Sequence, residues 1–296
     1  MDNINHSSFY TYSKDNTLLH GMFWLPKEEI KAVICLVHGL GGHVARFGEV
    51  ANFFCSKNIG FVGVDLRGHG KSHGKPGVIK NLQCFYDDIE QAVKYVKRFV
   101  GEKVPMYVYG NSMGGPLALK MAIDNQDVFK GAILAAPWFK LVKQPRGLVL
   151  KMVKLMGVLM PNLTFSSGIK SENFRTSEEM QEKAKSDPLA HKQISARLFC
   201  KINHLGKSLL NIGGANVRFP VIIFHGEKDR VTDIKSSIEF QSKYCSDTEF
   251  VPLSNARHEI HVEAESGFML NRIVDWILQQ GCCEVVRFES VEAVNV

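Results

Sequence analysis

VPMYVYGNSMGGPLAL, residues Val104–Leu119, changes character halfway along. The apolar run Met106–Tyr109 reads as a buried strand, stops at Gly110, and gives way to a helical pattern after Gly114. Between them lies Gly110-Asn111-Ser112-Met113-Gly114, a G-x-S-x-G. That motif has meaning in one context, a strand that turns sharply into a helix. A serine on a strained turn needs neighbours without bulk, and glycine supplies them. The turn lifts the hydroxyl clear of the sheet. It also sets the free N–H groups and the positive dipole end of the next helix beside a reacting carbonyl. An ordinary βα turn is the plain alternative, since glycine and serine are common. The rest of the chain favours a nucleophile.

Upstream, Ser7–Ser13 alternates like an edge strand, with Thr17–Leu25 as its partner up to Pro26. Ala32–Val37 (AVICLV) and Gly60–Val64 are continuous apolar runs, as expected of strands covered on both faces. The first ends in the small-residue loop His38-Gly39-Leu40-Gly41-Gly42-His43, with a helix to about Lys57; the second ends in Asp65–Ser72, DLRGHGKS. Leu82, Phe85, Ile89, Val93 and Val96 keep helical spacing. Downstream, Gly131–Ala136 is a strand closed by Pro137. Val221–Phe224 is another, ending in His225-Gly226-Glu227-Lys228-Asp229. A helix, a short strand at Glu249–Leu253, a loop to His258 and a final helix from about Val262 to Gln280 complete the pattern, with Gly281 as its stop. Strands and helices alternating at this period predict a mostly parallel sheet with helices on both faces and the site at the strands' carboxyl ends.

The alternation breaks at Trp138 and resumes near Phe219. The insert opens with Leu141–Met160, an apolar stretch sprinkled with Lys143, Arg146, Lys151 and Lys154. It goes on through helix-like segments at Ser177–Lys185 and Leu198–Leu210. The expected organisation is a core of residues 1–137 and 219–281, a helical cap or lid of 138–218 over the site, and a tail of 282–296. Within the cap, Gly147–Met160 (GLVLKMVKLMGVLM) is too short to span a bilayer and suits a buried or interfacial helix. It reads either as the wall of an acyl channel, with Leu155 and Leu159 as candidate substrate contacts, or as a helix packed on the core.

The chain has 296 residues, 45% hydrophobic and 22% charged, the composition of an ordinary globular protein. A mean hydropathy of -0.07 and the lack of a long apolar run argue against a membrane span. The polar start MDNINHSSFYTYS does not read as a secretory signal, so the expected location is cytoplasmic, with peripheral membrane contact through the cap. Seven scattered cysteines, in neither CxxC nor zinc spacing, fit reduced thiols; Cys282-Cys283 reads as two surface thiols or a lipidation site. A net charge of +6 without a basic cluster and interleaved aromatics gives no nucleic-acid face. Charge and composition leave the oligomeric state open.

A serine hydroxyl needs a base to take its proton, and a histidine base needs a carboxylate to fix its tautomer. Both follow Ser112 in the order Ser, Asp, His. Asp229, just past the VIIF strand, is favoured as the acid. Its rival Asp233 falls where a helix begins and reads as an N-cap. His258, after the last strand, is the expected base, and His261 reads as a solvated or packing residue. Glu259 tempts a zinc reading, but H-E-x-x-H needs its second histidine one position further on, so no metal is expected. His38, His43, His69 and His225 are expected to brace loops. The oxyanion donors are expected to be the N–H of Met113 and that of Leu40.

Taken together, GNSMGG, HGLGGH, DLRGHGKS, HGEKDR and RHEIH resemble the monoglyceride lipase and lysophospholipase branch of the α/β-hydrolases. The resemblance runs over nearly the whole chain. It implies the α/β-hydrolase fold, an eight-stranded, mostly parallel sheet with an inserted helical cap. It also implies a cofactor-free serine esterase acting on esters with one acyl chain. Residue by residue it supports Ser112, Asp229 and His258 as the triad and Leu40 and Met113 as oxyanion donors. SDPL at Ser186–Leu189 resembles a cap segment of the family. Asn111 departs from the histidine often found before the nucleophile, and it is a candidate substrate contact. Hydrolysis of monoacylglycerol to fatty acid and glycerol is the leading expectation. A lysophospholipase, an acyltransferase or aminopeptidase on the same fold, and a non-catalytic lipid carrier are the alternatives.

Overall fold

The computed structural model describes residues 4–213, 216–244 and 247–281 and the backbone of 286–287. In chain order, β1 (Ile4–Tyr12) and β2 (Leu18–Pro26) form a hairpin, and β3 (Glu29–Ile30) and β4 (Ala32–Val37) follow. The βα alternation then runs α1 (Gly48–Cys55), β5 (Ile59–Val64), α2 (Gln83–Val100), β6 (Met106–Asn111), α3 (Gly114–Asp124) and β7 (Phe129–Ala135). Between β7 and the next strand of the main sheet lie α4 (Gly147–Leu159), β8 (Thr164–Ser166), α5 (Glu178–Lys185), β9 (Gln193–Ser195) and α6 (Ala196–Leu209). The chain closes with β10 (Val221–Gly226), α7 (Ile234–Lys243), β11 (Thr248–Leu253), α8 (Ser266–Gln279) and β12 (Val286–Arg287). Of the tail expected after Gly281, β12 pairs antiparallel with β3, while Cys282-Cys283 lies outside the described residues.

The main sheet has eight strands in the order β1-β2-β5-β4-β6-β7-β10-β11. Only the β1–β2 and β2–β5 pairings are antiparallel. The apolar runs explain the layers. In β4, Val33, Cys35 and Val37 point to the side covered by α2 and α3, while Ala32, Ile34 and Leu36 point to the side covered by α1 and α8. β6 divides likewise, Met106 and Val108 against Tyr107 and Tyr109. A strand buried on both faces gains roughly 1.5–3 kcal/mol from each large apolar side chain it hides. Solvent therefore selects this central position for unbroken apolar runs.

The turn after β6 is built as the sequence requires. Ser112 sits at φ 54, a left-handed backbone that a residue with a Cβ rarely adopts. Its glycines have no room for more. A Cβ on Gly114 would lie 2.0 Å from the Val37 carbonyl oxygen, and one on Gly110 2.5 Å from that of Gly114. The DLRGHGKS segment is a brace. Buried Asp65 accepts hydrogen bonds from the N–H groups of Val44 (2.8 Å) and Lys71 (3.0 Å) and from His20 Nδ1 (2.8 Å). Arg67 binds Asp88 and Asp15.

One boundary differs from expectation for a physical reason. The final helix begins at Ser266, not Val262. Glu263 is extended, and its carboxylate accepts hydrogen bonds from Thr176 and Arg257. The cap helix begins at Gly147, the expected start of its apolar segment, and the residues before it bind the loop after β10. Leu141 bridges Thr232, and Val142 N–H donates to Val231 O (3.0 Å).

Candidate active site

The loops at the carboxyl ends of β6, β10 and β11 bring Ser112, Asp229 and His258 together. Ser112 Oγ–H donates to His258 Nε2 (2.8 Å), and His258 Nδ1–H donates to Asp229 Oδ2 (2.7 Å). Asp229 Oδ1 accepts the N–H groups of Val231 (2.7 Å) and Thr232 (3.1 Å), a turn that holds the carboxylate rigid. Oδ2 also takes the Thr232 hydroxyl (2.8 Å) and lies 3.2 Å from His225 Nε2. Burial pushes the Asp229 pKa up, but the His258 charge and the hydrogen bonds from His225 and His258 outweigh it and hold the carboxyl well below the usual carboxylate range. Burial pushes the His258 pKa down. Asp229, by charge and by hydrogen bond, and then Glu259 overcome that and leave it raised. Asp233 caps α7 instead, accepting the N–H of Lys235 (3.1 Å).

Loop bracing falls to the other histidines. His38 donates from Nδ1 to Gly39 O (2.9 Å) and accepts the Leu66 N–H at Nε2 (2.9 Å), so it ties the Leu40 loop to the loop after β5. His225 does more than brace, because it touches Asp229. Met113 is buried at the start of α3, and Leu40 is half-buried on the cavity wall. Neither N–H donates to another protein group among the described residues.

A cavity of about 30 Å³ opens in front of Ser112, walled by Leu40, Asn111, Phe174, His258, Glu259 and His261, with Arg46 at its edge. Leu40, Arg46, Phe174 and Glu259 also wall a second cavity of about 200 Å³, whose rim carries Lys185 and Lys192. The Trp138 backbone N–H donates to Ser112 O (3.0 Å), and its ring packs 5.8 Å from that of Phe199. Phe199, with Val153, Met156, Phe165 and Ile194, encloses a third cavity of about 310 Å³ with an apolar lining.

Leu155 and Leu159, expected from the sequence as contacts of an acyl channel, do not line this cavity. They are 58% and 69% exposed, on the outer face of α4. The reason is Gly157, the one buried residue of α4. A Cβ there would lie 3.3 Å from the Arg197 backbone, so this turn packs against α6 and turns Val153 and Met156 inward. His261 packs, one of the two roles expected of it, and it also faces the site. It stacks on Phe47 (centroids 4.3 Å apart) yet walls the Ser112 cavity, and its Nδ1 has no protein partner. Arg46, Phe174 and Glu259 complete the wall with no local signal in the sequence, apart from the carboxylate beside His258.

Among curated proteins, the chain is 27% identical over 273 residues to the monoglyceride lipase homolog of Monkeypox virus, covering 91% of this chain and 97% of that one. It is 28% identical over 271 residues to an uncharacterized abhydrolase domain-containing protein of Dictyostelium discoideum, 90% of this chain and 28% of that much longer protein. Among solved structures, it superposes on a soluble variant of monoglyceride lipase from Saccharomyces cerevisiae in complex with a substrate analog. There the TM-score is 0.80 at 20% identity, over 92% of this chain and 94% of that one. A family model spans residues 28–265, from β3's neighbourhood to the start of α8, and takes in Ser112, Asp229 and His258. On that match the chain belongs to the hydrolase family described as serine aminopeptidase, S33, within the α/β-hydrolases and on their monoglyceride lipase branch.

Proposed function

We propose that the chain is a serine carboxylester hydrolase that cleaves single-acyl-chain lipid esters, monoacylglycerols first among them. The observation that carries the reading is the unbroken hydrogen-bond line Ser112–His258–Asp229, beside which Trp138, bonded through its backbone to Ser112, packs on Phe199 of an apolar pocket. Ser112 Oγ attacks the ester carbonyl as His258 Nε2 takes its proton. Asp229 stabilises the imidazolium. The N–H groups of Leu40 and Met113 hold the oxyanion, each worth about 3 kcal/mol of the barrier. His258 gives its proton to the leaving alcohol. Water, activated by the same ring, then releases the fatty acid from the acyl-enzyme.

The segment 138–218 acts as the cap. Its apolar pocket takes the acyl chain at roughly 0.8 kcal/mol per buried CH₂. Asn111, Arg46 and His261 face the alcohol. The outer face of α4, with Leu148, Met152, Leu155, Val158 and Leu159 more than half exposed between Lys151 and Lys154, docks peripherally on the membrane from a cytoplasmic location. The printed names of the monoglyceride lipase relatives favour this substrate class. An aminopeptidase is disfavoured by the state of Glu259. It is the carboxylate on the Ser112 cavity wall, and Arg46 and Arg175 already occupy it. One observation favours a second reading, lysophospholipase: Lys185 and Lys192 line the cavity that shares Leu40, Arg46, Phe174 and Glu259 with that of Ser112.

The test is a matched panel of monoacylglycerols of rising chain length, lysophosphatidylcholine, a short p-nitrophenyl ester and an aminoacyl amide, with Ser112→Ala as control. Preference for long monoacylglycerols is expected, with Ser112→Ala folded and its turnover lower by at least ~10⁴-fold. Turnover retained in Ser112→Ala sinks the mechanism. Hydrolysis of the amide or the short ester alone withdraws the lipid assignment.

A further inference from the structure

The carboxylate beside the histidine is not left to solvent. Glu259 is 14% exposed, and Arg175 grips its Oε2 through both Nε and Nη2. On the other oxygen, Arg46 Nη1 lies 3.7 Å away. Arg46 reaches on to Asp187 (3.5 Å), and Asp187 meets His43 Nε2 (3.0 Å). The result is a polar chain, His43–Asp187–Arg46–Glu259–Arg175, in which carboxylates and guanidinium groups alternate from Asp187 onward. Asp187 and Arg175 belong to the insert and the others to the core, so every link but Arg46–Glu259 crosses the junction. Arg175 also donates to Met180 O, which ties it to the start of α5.

The backbone repeats the connection. Glu259 N–H donates to Phe174 O (2.9 Å), and Arg257 donates to the carbonyls of Glu172 (2.5 Å) and Arg175 (2.9 Å). Phe174 is thereby held with its ring 5.6 Å from that of His258, on the wall of the Ser112 cavity. Two paths, one ionic and one through the backbone, thus join the insert to the loop of the histidine.

We propose that Glu259 is a positioning residue for the base. Through Arg175 it seats Phe174 over His258, and its charge, set against those of Arg46 and Arg175, tunes how readily His258 takes the serine proton. The inference rests on the reading of Ser112 and His258 as nucleophile and base. Other charges also face the imidazole. Asp229 and His225 approach from the loop after β10, and Asp187 lies behind Arg46. His261, on the same loop, is held neutral, its burial pulling the pKa down to about 4. Glu259 raises the His258 pKa, in the same sense as Asp229. Arg175 and Arg46 pair with Glu259, so the insert bears on the base through that carboxylate.

The experiment is the pH dependence of kcat/KM on a short soluble ester, which needs no acyl pocket, for wild type, Glu259→Gln and Arg175→Gln. Glu259→Gln removes a negative charge and strands two arginines, so its acid limb is expected to move down by roughly half a pH unit. Arg175→Gln leaves Glu259 less compensated, and its limb is expected to move up. A purely structural role moves neither limb, or moves both the same way, and either result overturns the proposal. If Glu259→Gln does not fold, Arg175→Gln alone decides: an upward limb supports the inference, and an unmoved or lowered one overturns it. Wild type that hydrolyses no ester in a Ser112-dependent manner refutes the function itself. An active wild type with unmoved limbs refutes only the role of Glu259.

Discussion

Asp229 collects more partners than a loop carboxylate usually does, and they divide between its two oxygens. Oδ1 serves the turn through Val231 and Thr232, while Oδ2 serves His258, Thr232 Oγ1 and His225. That division makes Asp229→Asn a clean test. The amide oxygen can keep the turn bonds, so folding should survive. The amide NH₂ then faces His258 Nδ1, reverses the tautomer and leaves Nε2 unable to accept the serine proton. A fall of about 10⁴-fold in kcat is expected. Circular dichroism should stay native, and near-normal turnover would remove Asp229 from the mechanism. The wild-type pH profile follows from the same contact. His258 must be neutral to act, and its pKa is raised, so kcat/KM should climb through an apparent pKa above the ordinary imidazole value of about 6.5.

Helix α4 has two apolar faces, one half-buried and one exposed, and one glycine decides which is which. Gly157 presses its turn onto α6, so Val153 and Met156 face the apolar cavity while Leu155 and Leu159 face out. Apolar residues on every side of a short helix carry no periodic signal of its inner face. For this reason the sequence pointed to Leu155 and Leu159 as the channel wall. Inner-face and outer-face substitutions should therefore fail differently. Met156→Ser should weaken long-chain esters roughly tenfold relative to short ones, at about 0.8 kcal/mol per lost CH₂ contact, in any dispersion. Leu155→Ser with Leu159→Ser should leave dissolved esters unchanged and reduce turnover of the same lipid in vesicles. Co-sedimentation with vesicles checks the second claim. Equal losses on dissolved and vesicle-bound substrate would remove the membrane role of the outer face.

Across the whole molecule, buried neutral histidines set an acid limit on stability. Burial pulls His38 and His261 each down to about 4 and holds His69 well below the ordinary value. In the unfolded chain these groups titrate near 6.5. As pH falls through that value the unfolded state binds protons first, and the folded state follows only near pH 4. Stability should therefore drop between pH 6.5 and 4, by up to ~1.4 kcal/mol per pH unit for each such histidine. His258 acts in the opposite sense. Its folded pKa is raised, so its contribution is present below pH ~6.5 and is lost above its folded pKa. Urea midpoints at pH 7.5 and 5.5 measure the balance, and a midpoint that rises on acidification would contradict it.

The sequence by itself determined the sheet and the positions of the three groups at its carboxyl edge. Unbroken apolar runs suit only strands covered on both faces, and the glycines around Ser112 answer short-range steric demands a few residues away. The N-cap role of Asp233 is equally local. Only the tertiary structure decided what surrounds Ser112. Arg175 and Glu259 are 84 residues apart in the chain, and Ser112 and His258 are 146 apart. Arg46, Phe174 and His261 meet there because the insert folds back onto the sheet edge, and contacts across such separations leave no period or spacing in the sequence. The turn of α4 was decided in the same way, by the packing of one glycine against a helix forty residues further on.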